Sequence, residues 1–208
     1  MALVKYNNNS ISAVTSAAAI PSGAMTLIKT LTASSSANLS FVNGSSDVVL
    51  DNTYPIYVFK FINMHPATDD KNFQFQGSTD SGSSYGVTIT STVFRAGHNE
   101  DDSTPTFGYF AADDLAQSTS YQRLDAGRTG NDSDSGLVGT LHIFEPSSSV
   151  FVKHFIYDGN THKSNNQSMK AFVAGYFNTT LAINAINFQF ASGNIDAGKI
   201  KLYGIKDS

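Results

Sequence analysis

The sequence predicts an all-β fold, a jelly-roll-like sandwich of two antiparallel sheets behind an N-terminal arm. Three observations carry this expectation. About ten segments of strand length alternate apolar with polar residues, as half-buried strands do because successive side chains leave opposite faces of the pleat. Turn-forming Gly, Asn, Asp and Ser separate these segments at sandwich spacing, with little helical pattern between them. Finally, AINFQFASGNIDAGKIKLYGIK over residues 185–206 reads as two strands with one apolar face each. It is expected to form a closing hairpin whose apolar side needs a second sheet to cover it.

Taken in order, residues 1–23 are small and polar and form the expected arm, with the sandwich domain over 24–208. Within the arm, residues 12–19 suit a short helix that Pro21 and Gly23 stop. Residues 25–32 and 38–42 are strand-like with weak alternation. YPIYVFKFIN over 54–63 is the strongest strand of the first half, with Ile56, Val58 and Ile62 on one face and Tyr57, Phe59 and Phe61 on the other. A strand apolar on both sides is central or lies at an interface, so Tyr57, Phe59 and Phe61 are the expected assembly surface. Strands are expected at 72–76 and 85–96, divided by the turn Asp80-Ser81-Gly82-Ser83. Residues 107–110 and 121–124 are short extended pieces flanking AADDLAQ, 111–117, which suits one helical turn. Residues 137–144, 150–157 and 169–177 complete the set before the final pair, with a reversal at 145–149. No period of 20 to 50 residues points to a solenoid or propeller.

Composition narrows the function classes. A chain of 208 residues suits one large domain, and 15 Phe and 9 Tyr supply a packed core. Charged residues are 14% of the chain, against roughly 25% in ordinary soluble domains; hydroxyl and amide side chains take their place. A formal charge of −4 gives no footprint for nucleic acid. Without cysteine there is no disulfide, no thiolate zinc site and no thiol catalysis. With neither a leader pattern nor an apolar run of about 18 residues, the chain is expected to be made in a cytoplasm and to have no membrane span.

Candidate chemistry is sparse. His142 and His154 fall mid-strand in expected neighbours, yet no third ligand accompanies them, and zinc needs three or four. NDSDSG over 131–136 resembles part of a calcium loop, with Asp132 and Asp134 as candidate ligands; the bidentate Glu at its twelfth position is missing. No G-x-S-x-G, H-E-x-x-H or phosphate-cradling loop occurs, so neither an enzyme nor a cofactor is expected. Tyr85, Phe107, Tyr109, Phe110 and Tyr121 stand near loops rich in Asp, Asn and Ser. An aromatic platform beside fixed polar groups suits a sugar-like ligand, and these five form the expected recognition set.

Several stretches together give the chain a likeness: ALVKYNNNSISAVTSAA, YVFKFINMHPATDD, DLAQSTSYQ, SSSVFVKHF, GYFNTT and SGNIDAGKIKLYGIK. It resembles a family of virion structural proteins of marine tailed bacteriophages, found in cyanophages and pelagiphages. The resemblance runs the full length and implies a jelly-roll virion component, present as copies on a head or tail. It transfers no catalytic or binding residue. The expected role is a capsid decoration or head-fibre protein, homotrimeric by analogy with other virion jelly rolls, with other virion proteins as partners. The alternative is a tail-associated adhesin that recognises host surface glycans.

Overall fold

The computed structural model describes residues 24–103 and 105–207. The expected arm, 1–23, lies outside the described residues, with its helix at 12–19. Twelve strands follow: β1 Met25–Thr32, β2 Leu39–Val42, β3 Ile56–Pro66, β4 Phe73–Ser78, β5 Ile89–Asn99, β6 Thr106–Tyr109, β7 Gln122–Arg123, β8 Leu137–Phe144, β9 Lys153–His162, β10 Gln167–Phe177, β11 Ala185–Phe190 and β12 Ile195–Ile205. They form a large sheet of order β1-β12-β3-β8-β9-β10-β5-β6 and a small sheet of order β2-β11-β4-β7.

The strand order is that of a jelly roll with two insertions. Along β1, β2, β3, β4, β7, β8, β11 and β12 the chain changes sheet at every step but β4 to β7, which are neighbours in the small sheet, so β1-β12-β3-β8 faces β2-β11-β4-β7. The remaining strands enter as two hairpins, β5-β6 between β4 and β7, and β9-β10 between β8 and β11, and they widen the large sheet alone.

This winding corrects the expected closing hairpin. β11 pairs with β2 and β4, whereas β12 pairs with β1 and β3 in the opposite layer. Residues 191–194 carry the chain across the sandwich, held by Ala191 N–H donating to Asn72 O and Ile195 N–H to Ser36 O. Both strands bury their apolar faces in the one core between the layers, which leaves the same alternation as a hairpin would.

Between the layers Phe188 of β11 is ringed by Phe59 and Phe61 at 5.2 and 5.1 Å and by Phe41, Phe73 and Phe75 at 6.2, 6.1 and 6.2 Å. Tyr57, Phe59 and Phe61 all point into this core and are closed to solvent. They are therefore not an assembly surface, because the small sheet covers the face they occupy. The outward face of β3 carries Ile56, Val58, Lys60 and Ile62, of which Ile62 is exposed.

Residues 110–118 run along the free edge of β5, where Phe110 N–H donates to Val93 O, Ser91 N–H to Leu115 O and Ile89 N–H to Ser118 O. The expected helical turn at 111–117 is absent, since these backbone groups are taken by β5 rather than by their own chain four residues away. The chain then enters β7, so this segment closes one side of the sandwich.

Candidate functional site

Two surfaces stand out. The first is the outward face of the large sheet, which nothing in the chain's described residues covers. Phe172 of β10 sits opposite Phe94 of β5, and Phe94 opposite Tyr109 of β6, so aromatic side chains cross three adjacent strands. Phe94 and Phe172 stack at 4.7 Å, and Phe107 meets Phe94 edge-on at 6.5 Å. Phe107 is 81% exposed and Phe94 42%. Lys170 lies over Phe172 at 5.0 Å and pairs with Asp158. Exposed Ile156, Val138 and Ile62 continue the face toward β3, where Lys60 covers the Tyr203 ring at 5.6 Å.

The second surface is the side closed by residues 110–130. All three arginines of the chain, Arg95, Arg123 and Arg128, line one cleft of about 380 Å³ together with Lys163, Asp70 and Asp113. Arg123 pairs with Asp113 at 2.7 Å, and Arg128 with Asp70 at 2.8 Å. Arg95 lies 3.5 Å above the Phe110 ring and donates to Ala126 O at 2.8 Å. Burial and the neighbouring Arg95 hold the Lys163 ammonium below its ordinary pKa. Behind the cleft Asp125 accepts from Asn72 Nδ2, the Phe73 amide and Thr129 Oγ1. Full burial still pushes its carboxyl up to about 6, with the charge of Asp113 adding to the effect.

The five aromatics expected as one platform separate. Phe107 and Tyr109 join the outward face, where the Tyr109 hydroxyl donates to Asp114. Phe110, one residue on, turns beneath Arg95 in the arginine cleft. Tyr121 lines an adjoining cleft of about 490 Å³ with Gln74, Asp114 and Ser120, and its hydroxyl donates to Asn187 Oδ1 at 3.2 Å. Tyr85 lies near Tyr121, whose phenol is raised by burial and then by that neighbour. The two clefts share Ala112 and the Arg123–Asp113 pair.

Asp132 and Asp134 sit in an exposed loop, where the Asp132 carbonyl accepts from His65 Nε2 at 3.1 Å and Ser135 N–H at 2.8 Å. Among the described residues no three acidic, His or Cys side chains converge for a metal. His142 and His154 are not opposite one another, since the register places His142 against Ile156 and His154 against Tyr176. A hydroxyl–imidazole–carboxylate chain that spacing did not reveal links Ser135 Oγ to His162 Nδ1 at 2.8 Å and His162 Nε2 to Glu100 at 3.6 Å. Ser135 is only 7% exposed and the carboxylate stands beyond hydrogen-bond reach, so the cluster fastens its loop to β9 and is not arranged as an acyl-transfer triad.

No family model, curated protein or solved structure matches this chain.

Proposed function

We propose that the chain is a non-enzymatic structural protein of a tailed-phage virion, a capsid decoration or head-fibre subunit assembled in the host cytoplasm. In this reading it associates with further copies of itself through the margins of its large sheet. The observation that carries the reading is the aromatic row of Phe94, Phe107 and Tyr109, exposed beside β6, whose outer edge pairs with no strand among the described residues. Unpaired strand edges bearing exposed rings invite a neighbour. The opposite margin, β1, exposes Met25 and Leu27. One apolar margin meeting the other is a head-to-tail contact, which closes into a ring when the rotation between copies permits; a ring of three copies is the proposed number. The jelly-roll winding, the low charge and the family resemblance support the virion setting.

The decisive experiment joins two measurements. Light scattering on the purified chain at micromolar concentration is expected to give a trimer mass, and labelled antibody is expected to decorate particles on the head. A monomer that labels no particle defeats the proposal. A second reading, a tail-associated fibre that recognises host glycans, is favoured by Tyr121 in its polar cleft. Tail labelling with binding on a glycan array would select it.

A further inference from the structure

We infer that the cleft lined by Arg95, Arg123, Arg128 and Lys163 binds a tetrahedral oxyanion, a sulfate or phosphate group carried on a small ligand. The inference stands on this cleft alone and holds whether the subunit belongs to a head or a tail. Four cations face Asp70 and Asp113 there, with Asp125 behind the wall, so the cleft keeps a positive surplus of one charge when Asp125 is ionised and two when it is protonated. Asp70 and Asp113 are each engaged by one arginine. Arg95 and Lys163 form no direct ion pair among the described residues, although Asp70 and Asp125 lie near enough to act on Lys163: Arg95 bonds only a carbonyl, and Lys163 Nζ donates to Gln167 Oε1 at 3.2 Å.

Arg95 is also held in place before any ligand arrives. The Phe110 ring supports one face of its guanidinium and Ala126 O anchors one nitrogen, which leaves further N–H groups of a rigid fork without a partner among the described residues. Lys163 reaches the same space with its methylenes against Gly127, close to where a Cβ on that glycine would stand. Gathering like charges costs free energy that a bound anion would offset. A tetrahedral oxyanion can offer separate oxygens to the Arg95 fork and the Lys163 ammonium while its charge meets the surplus.

The test is calorimetric titration of the full chain with sodium sulfate, sodium phosphate and, as a third arm, sodium acetate, all at constant ionic strength. Saturable one-site binding of sulfate or phosphate is expected, with acetate at least tenfold weaker. The sulfate and phosphate arms decide which group the ligand carries. Lys163→Gln and Arg95→Gln are each expected to weaken binding at least tenfold, and Lys170→Gln, on the outward sheet face, to leave it unchanged. Sulfate should raise the melting temperature of the parent chain and not that of K163Q. Should R95Q lose its fold, K163Q decides, because its ammonium bonds only a neighbouring amide side chain. Binding that is absent up to ~50 mM of either tetrahedral anion, far weaker than a specific site requires, overturns the inference. So does binding unaltered in K163Q.

Discussion

Tyr157 stands on the inner face of β9, and the residues that make room for it are glycines. Gly139 and Gly159 are register partners on β8 and β9. A Cβ on Gly139 would lie 2.7 Å from the Tyr157 ring, and one on Gly159 would overlap it. The Tyr157 hydroxyl is buried and has no hydrogen-bond partner among the described residues. Tyr157→Phe is therefore expected to be neutral or to stabilise by up to ~1 kcal/mol, since it removes an unmet polar group and loses no bond. Gly159→Ala should destabilise by about 2 to 3 kcal/mol through overpacking; urea unfolding of both variants checks the pair. Asp125 gives a prediction in pH. Its carboxyl ionises at about 6 when folded, against an ordinary value of 3.8, so the native state keeps its proton to higher pH than the unfolded chain. Stability must then fall as pH rises from about 4 through about 6. Relative to Asp125→Asn, the parent chain should lose roughly 2 to 3 kcal/mol between pH 4 and 7. None of these roles was legible in the sequence. The three arginines stand at 95, 123 and 128 with no periodicity, and only the path of residues 110–130 against β5 brings them together.

At the scale of the element, alternation did its work where a strand has one wet face. The expected bounds of β8 agree with the structure residue for residue, and so do those of β1, although its alternation is weak. It failed where tertiary partners outweighed local preference, as in AADDLAQ, whose residues suit a helix but whose Leu115 carbonyl and Leu115 and Gln117 amides bond β5. It also left pairing open for β11 and β12, because a period of two says that a strand has an inner face and not which layer holds it. β11 is the element on which the layers close. Phe188→Ala would open a void among five rings and is expected to cost about 3 to 5 kcal/mol. Phe107→Ala, on an exposed ring, should stay within ~0.5 kcal/mol. Denaturant midpoints measured side by side test that contrast.

For the whole molecule, the sandwich was legible and its outside was not. β3 is apolar on both faces, so its pattern alone does not say which of them meets the second sheet; the expected assembly surface fell on the inner one. The outward aromatic row was only partly visible, through Phe107 and Tyr109, because Phe94 and Phe172 lie on strands far apart in sequence. If that row joins copies, Phe94→Ser with Phe107→Ser should convert the trimer mass to a monomer and shift the melting temperature by no more than ~5 °C. The two inserted hairpins have a further consequence. β9, β10, β5 and β6 widen one sheet beside the eight wound strands; β9 and β10 are held by the β8-β9 ladder and by Phe155 and Phe177 packed on Phe75, and β6 is the outermost strand. An outermost strand can open while the packed strands behind it stay shut. Amide deuteration should accordingly spread from β6 inward, reaching β3 and β12 last, so that the molecule loosens from one flank like a page lifting from a bound spine.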